Sequence, residues 1–169
     1  IKSLGHVQSV VEKRGTIAVL SNVRIDAKGD SVALTATDMD LAMVEKVPAT
    51  VGKPGSTTVP AHMLYDIVRK LPEGAQIECA VNAEGSKMTI KSGQSRFSLG
   101  CLSVEDFPVM AEGELPFNFS LKSAECLAIV QKPSFAISTE ETRYYLNGIY
   151  LHAAGDGKDK VLRAVATDG

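Results

Sequence analysis

The sequence LSNVRI at residues 20–25 returns as LNGIYL at residues 146–151. Each copy is followed by a turn that contains Gly-Asp and by an apolar run that ends in Ala-Thr-Asp, at residues 36–38 and 166–168. The second copy differs in length only in its turn, which is four residues longer. Because self-similarity in a fixed order marks repeated structural units, the pattern predicts two related β-hairpins that arose by duplication. Chance resemblance between alternating strands is the competing explanation.

Around the first copy, the spacing of apolar residues alternates between the pattern of a helix and the pattern of a strand. Apolar residues three and four positions apart predict one helix over residues 1–13 and a second over residues 61–71, just after Pro60. Alternating or β-branched runs predict strands at residues 17–25, 31–37, 41–47, 76–81, 87–91 and 95–99. Around the second copy, the same reasoning predicts a helix at residues 122–132 and strands at residues 117–121, 144–152 and 160–167.

The segment between the copies has the composition of a linker. Residues 108–116 contain two prolines, Gly113 and two glutamates, with little periodicity. We therefore expect a first domain at residues 1–110, a linker at residues 111–116 and the first part of a second domain at residues 117–169.

Both ends of the chain suggest a piece of a longer protein. The sequence starts at Ile1 without an initiator Met, so we expect it to begin inside the first domain, with its opening missing. The second copy has no counterpart of the helix at residues 61–71 or of the strands after it. Its apolar faces are therefore expected to lack partners.

The charge is acidic on average and basic on the predicted helices. A net charge of −2 and an isoelectric point near 5.9 argue against a protein that coats DNA with its whole surface. The helix at residues 1–14 nevertheless has a net charge of +2, from Lys2, Lys13 and Arg14 against Glu12, and the other two helices have +1 each. One surface could therefore face phosphates. The general preference of Lys and Arg for helix surfaces is the competing explanation.

Motifs of catalysis and metal binding are missing from the sequence. GxSxG, Walker, HExxH and GxGxxG patterns do not occur, and neither the three histidines nor the three cysteines have metal-ligand spacing. The odd cysteine count without CxxC predicts buried, reduced thiols in a cytoplasmic protein: Cys79, Cys101 and Cys126. Asp38 and Asp40 could hold magnesium in a metal-dependent nuclease, but turn capping by Asp38 is the expected role.

Short segments along the whole chain resemble one family. They are VPA at 59–61, DI at 66–67, LPEG at 71–74, SRFSL at 95–99, DFP at 106–108, RYYLNG at 143–148 and VATDG at 165–169. Together, and above all through RYYLNG followed by VATDG, they resemble the bacterial beta sliding clamp family, the beta subunits of DNA polymerase III. The resemblance implies an α+β DNA clamp fold of repeated domains, in which helices line a channel against outer antiparallel sheets.

The function implied by the resemblance is a non-catalytic one. Members form a homodimeric ring of three-domain subunits that encircles duplex DNA without reading its sequence and tethers the replicative polymerase. Polymerase subunits, the clamp loader and repair proteins bind it through a short hydrophobic peptide; no cofactor, metal or membrane is implied. Because the third domain is absent from these 169 residues, we do not expect them to close a ring alone. A metal-dependent nuclease and an interaction module unrelated to DNA are the alternatives.

The resemblance also implies which residues face DNA. By position, Lys2 lies on the channel-facing helix, and Arg14 is the loop cation that reaches the duplex. His62 stands where relatives often have a basic residue, so its role near neutral pH is in doubt. Glu140 occupies a DNA-contacting loop position that is polar and uncharged in some relatives.

Two protein-binding surfaces follow from the same resemblance. The partner-peptide pocket is built partly from Arg143, Tyr145, Leu146, Thr167 and Gly169, with Tyr145 expected on a strand that presents its ring to a groove. The subunit interface uses an edge strand with cations and an apolar centre, and its expected residues are Lys91, Arg96, Phe97 and Leu99. Nearby, Gln94 replaces an Arg that is frequent in relatives.

Overall fold

The computed structural model of the chain describes residues 1–11, 17–108, 119–155, 157 and 160–169. It contains two compact units, Ile1–Glu112 and Gly113–Gly169. The predicted linker at residues 111–116 lies outside the described residues. Each unit has its own helices and strands.

The first unit combines two short helices with antiparallel strands. Its elements are α1 (Lys2–Gln8), β1 (Asn22–Lys28), β2 (Ser31–Thr37), β3 (Ala42–Pro48), β4 (Gly55–Pro60), α2 (Ala61–Val68), β5 (Glu78–Val81), β6 (Lys87–Ser92) and β7 (Ser95–Gly100). Four strands pair in the order β3-β2-β1-β4, and three pair in the order β5-β6-β7. The β1–β2 hairpin turns at Gly29, whose φ of 63° is a left-handed conformation that glycine adopts without penalty.

One hydrophobic core joins the helices and both sheets of the first unit. Because side chains alternate across each strand, Met88 and Ile90 of β6 face inward and are buried, while Lys87 and Lys91 are exposed. Each fully buried aliphatic side chain contributes roughly 1.5–3 kcal/mol to stability. The core residues are Val7, Val11, Val23, Leu34, Ala36, Val59, Ala61, Leu64, Val68, Met88, Ile90 and Leu99.

A chain of buried hydrogen bonds links the four-stranded sheet to the segment that follows the three-stranded sheet. The side-chain amide of Asn22 donates to Oγ1 of Thr58 at 3.0 Å, and that hydroxyl donates to the carbonyl of Leu102 at 2.9 Å. Asn22 and Thr58 are both buried, so leaving either group unpaired would cost the desolvation of a polar group. The hydrogen bonds thus hold β4 against the segment that follows β7.

The second unit has little core of its own. It contains α3 (Ser123–Gln131), β8 (Tyr150–Ala154) and β9 (Val161–Val165), with 3-10 turns at Ser134–Ala136 and Glu141–Leu146. Helix α3 has no buried residue, and Phe135 is 90% exposed. Among the described residues of this unit, only Ser138 is buried. In the described part of this unit, large apolar and aromatic side chains such as Phe119 and Tyr150 are exposed.

The two sequence copies share their local geometry. In each, the leading leucine lies in a 3-10 turn, Ala18–Ser21 or Glu141–Leu146, and an antiparallel hairpin follows, β1–β2 or β8–β9. Oγ1 of Thr37 accepts the N–H of Met39 at 3.0 Å, and Oγ1 of Thr167 accepts the N–H of Gly169 at 3.1 Å. Met39 and Gly169 both have positive φ, 81° and 109°. This shared turn favours duplication over chance resemblance.

Several predicted elements were confirmed and others were wrong. The strand at residues 31–37 is β2, whereas the expected strand at residues 17–25 begins with a 3-10 turn and becomes β1 at Asn22. Residues 119–121 form no strand, and residues 117–118 lie outside the described part. Strand β4 was missed because its sequence, GSTTVP, has few apolar residues to alternate; pairing with β1 places it in the sheet.

Candidate functional site

Helices α1 and α2 carry two of the residues predicted to face DNA, Lys2 and His62. Lys2 is exposed at the start of α1. His62 is the second residue of α2, and its Nδ1 lies 2.6 Å from Oε1 of Gln8 on α1. An amide oxygen only accepts, so Nδ1 is the donor.

The ring of His62 is thus used to join two helices. Its Nε2 is buried without a hydrogen-bond partner among the described residues. An imidazole that is half-buried and hydrogen-bonded to Gln8 is less available to phosphate than an exposed Lys or Arg side chain. Its DNA contact stays a prediction, and its observed contact is with Gln8.

Acidic neighbours offset part of the positive charge on these helices. Nδ1 of His6 lies 2.8 Å from Oε1 of Glu45 on β3. The hydrogen bond from His6, with smaller contributions from Ser3 and Lys2, holds the pKa of the Glu45 carboxyl below its usual value. After α2, Arg69 pairs with Asp66 at 2.9 Å. Arg14 and the other charges of residues 12–14 lie outside the described residues.

The loop before β8 brings together most of the predicted partner pocket. The N–H of Ser138 donates to the carbonyl of Leu146 at 3.1 Å, which closes the loop across the 3-10 turn. Both oxygens of Glu140 pair with Arg143, Oε2 with Nε and Oε1 with Nη2, each at 2.8 Å. The guanidinium of Arg143 lies where a Cβ on Gly169 would fall, so two segments distant in sequence meet here.

The structure corrects the expected presentation of Tyr145 and Leu146. Both lie in the 3-10 turn Glu141–Leu146, not in a strand, and the backbone kinks at Arg143 (φ −114°, ψ 50°). Aromatic residues favour strands by propensity, but the closed loop overrides that preference. Tyr145 is 70% exposed and meets Tyr144 edge to face, with ring centroids 6.0 Å apart. Leu146 is half-buried.

The predicted subunit interface lies on β6 and β7, and β7 is an edge strand of its sheet. Lys91 and Arg96 are opposite each other in the register and exposed. Phe97 is half-buried and lines a shallow depression with Met63, Asp66, Ile67 and Lys70. The side chain of Leu99 was expected at the interface, but it is buried in the core and only 2% exposed. It points to the opposite face of the edge strand from Arg96 and Ser98. Only its backbone can take part in an interface.

Met63 and Ile67 of α2 also line that depression, whereas apolar periodicity predicts only a helix there. Met63 is exposed, while its neighbour Leu64 is buried. The signal was present, because adjacent apolar residues such as these make the stripe too wide for a single buried face.

The carboxylate pair of the nuclease alternative forms a turn. Oδ1 of Asp38 accepts the N–H groups of Asp40 at 3.0 Å and Leu41 at 2.7 Å, which confirms the capping role. Within residues 1–11, 17–108 and the described later part, no group of three or more His, Cys, Asp or Glu is placed to hold a metal ion. No described helix has the length and apolarity needed to cross a membrane.

The cysteines depart from their expected burial. All three are free, but Cys79 and Cys126 are exposed and Cys101 is half-buried. Strand β5, which contains Cys79, is an outer strand whose described residues are all exposed. Helix α3, with Cys126, buries nothing.

Comparison with known sequences identifies close relatives. The profile of the family "DNA polymerase III beta subunit, N-terminal domain" matches residues 1–111. The beta sliding clamp of Caulobacter vibrioides (strain NA1000 / CB15N) is 47% identical over 169 residues, and that of Escherichia coli K12 is 38% identical over 170 residues. Each alignment covers 100% of this chain and 45% of the relative, so the chain spans less than half the length of these relatives.

Solved structures extend the likeness to the fold. The beta sliding clamp of Caulobacter crescentus superimposes with a TM-score of 0.94 at 48% identity, covering 99% of this chain and 45% of that one. A DnaN sliding clamp from Bartonella birtlesii, bound to griselimycin, gives 0.92 at 50% identity, covering 99% and 44%. The expected α+β clamp fold is confirmed.

Proposed function

Since the chain belongs to the family of DNA polymerase III beta subunits, we propose that the full-length protein is a sliding clamp that encircles duplex DNA and tethers the replicative polymerase. The observation that supports this most strongly is the TM-score of 0.94 to a beta sliding clamp at 48% identity over 99% of the chain. In this proposal residues 1–110 belong to the first clamp domain and residues 117–169 begin the second.

The proposed mechanism is topological. A ring that surrounds DNA slides because encirclement prevents escape, and it needs only weak attraction to phosphates. Lys2 and Arg14 supply that attraction, while Glu45 and Asp66 limit it, which keeps the surface from binding tightly at one place. The protein supplies no chemistry to the polymerase reaction, and it acts in the cytoplasm, where bacterial DNA is replicated.

The proposed partners use two surfaces. Clamp-binding peptides of polymerase subunits, the clamp loader and repair proteins occupy the pocket formed in part by Arg143, Tyr145, Leu146, Thr167 and Gly169. The ring closes as a homodimer through the β7 edge, with Lys91, Arg96 and Phe97 on the joining surface. Unpaired backbone groups on an edge strand favour continuation of the sheet by another chain.

Retention on DNA tests the proposed function. The full-length protein, loaded by its clamp loader, is expected to stay on nicked circular DNA in high salt and to leave the same DNA after it is cut once. The control is a circle incubated without loader. Equal loss from circular and cut DNA would contradict encirclement, because phosphate attraction alone does not distinguish the two.

Replacing Arg14 with alanine is expected to weaken DNA binding of the full-length protein without unfolding it. One lost phosphate contact should lower the slope of log K against log salt by about 1. The measurement is a salt titration of DNA affinity, beside a thermal melt. Lys28→Ala is the matched control, since it removes an exposed cation at the end of β1. Equal slopes for Arg14→Ala and wild type would rule out the assigned contact.

A further inference from the structure

Glu140 has a contact that its predicted role does not explain. It was assigned to DNA, yet its carboxylate is held by Arg143, a residue of the predicted partner pocket. Both Glu140 oxygens bind, each to a different guanidinium nitrogen and each at 2.8 Å. Two parallel hydrogen bonds fix the orientation of the guanidinium plane as well as its position.

The backbone that carries this pair is itself fixed. Ser138, at 4% exposure, has its N–H bonded to the carbonyl of Leu146, and its Oγ accepts the N–H of Glu140 at 3.2 Å. Glu140 therefore starts the 3-10 turn from an anchored position. Its side chain reaches Arg143 three residues later, where the backbone kinks.

The other side of the guanidinium meets the second pocket segment. A Cβ built on Gly169 would collide with Nη1 of Arg143 and would lie 3.4 Å from its Cζ, so the guanidinium fills the side-chain space at that glycine. The equivalent residue of the first copy is Met39, which keeps a side chain at the same positive φ. Glycine at 169 thus leaves the space that the Arg143 guanidinium occupies.

We propose that Glu140 is a specificity-determining residue of the partner pocket: it positions Arg143 against Gly169 and offsets its charge, so that acidic peptide residues gain no advantage over uncharged ones at this pocket. This inference rests on the proposed function of the pocket. A free arginine at the rim would attract acidic peptide residues, whereas a paired one has no net charge to offer. Because both partners are at least partly exposed to solvent, the pair contributes little to stability.

The test compares two peptides on the full-length protein. Both are short, fluorescent and built from leucine, phenylalanine and uncharged residues, and one has an aspartate in place of an uncharged residue. Wild type should bind both with nearly equal Kd. Glu140→Gln should bind the aspartate peptide about threefold to fivefold more tightly than the uncharged one at low salt, and the preference should vanish in Glu140→Gln/Arg143→Gln.

Glu141→Gln is the matched control. It removes the same charge from the same turn, and Glu141 forms no ion pair among the described residues. If Glu141→Gln produces the same preference, the effect is general electrostatics and the inference is wrong. If Glu140→Gln produces none while wild type binds both peptides, the inference is also wrong but the pocket stands. Wild type that binds neither peptide would contradict the pocket itself, and the inference with it.

A second measurement reports the ion pair without any peptide. In protein with ¹⁵N-labelled arginine, the Nε–H signal of Arg143 should be protected and shifted in wild type and should move to the exposed range in Glu140→Gln. Identical Arg143 signals in the two proteins would overturn the positioning role. Thermal melts of all variants check that the fold is retained.

Discussion

Leu146→Ala in the full-length protein is expected to weaken binding of an apolar clamp-binding peptide about tenfold or more. Aliphatic anchors in such grooves commonly contribute roughly 2 kcal/mol, and each 1.4 kcal/mol is a factor of ten in Kd. Leu146 closes the 3-10 turn beside exposed Tyr145, within the loop that also holds Arg143. Calorimetric titration of the peptide into wild type and variant measures the change.

The competing explanation is that Leu146 only packs the loop against the hairpin. It is half-buried, so its truncation would then lower the melting temperature and leave peptide affinity nearly unchanged. Thermal melts run beside the titrations separate the two roles. Unchanged affinity with a lowered melting temperature would remove Leu146 from the pocket.

Ile90→Ala is expected to lower the free energy of unfolding of the first unit by about 2–5 kcal/mol. Ile90 is 0% exposed on the central strand β6, where it faces Phe97 of β7 and Cys79 of β5 in the register. Truncation removes three carbons from a packed interior and leaves a cavity that neighbouring strands cannot close. Denaturant unfolding followed by circular dichroism measures the loss.

Ile77→Ala is the matched control for that experiment. The same atoms are removed, but Ile77 is 40% exposed just before β5, so the change should stay under about 1 kcal/mol. Equal losses for the two variants would mean that the core is not centred on β6. Ile90→Ala also serves the pocket experiment, because it destabilises a different unit and should leave peptide Kd unchanged.

Part of the positive charge on α1 is matched by a carboxylate from another element. The sequence count assigned +2 to residues 1–14, but it does not include Glu45, on whose carboxylate Lys2 acts. A composition count ignores partners brought from other elements. Glu45 is on β3, 39 positions from His6, and only folding brings the two together.

The family and the succession of elements could be predicted from the sequence, because both depend on local pattern. Side-chain periodicity predicts strand β2 and the central residues of helices α1, α2 and α3. Short-range hydrogen bonding explains the Thr-Asp turns after β2 and β9. These features need only neighbours in the chain. RYYLNG and VATDG contain Arg143 and Gly169, which the fold brings together.

Contacts between distant segments were decided by tertiary structure. Strand β4 has no apolar alternation and exists because β1 offers it hydrogen bonds along its whole length. Tyr145 lies in a 3-10 turn and not in the expected strand, because the N–H of Ser138 binds the carbonyl of Leu146 and closes a loop. The side chain of Leu99 is buried in the core because of the pleat of β7. The guanidinium of Arg143 contacts Gly169, 26 positions later in the chain, and is paired with Glu140. Periodicity reports which residues are apolar, but which groups meet depends on loop closure and packing, whose free energies belong to the whole fold.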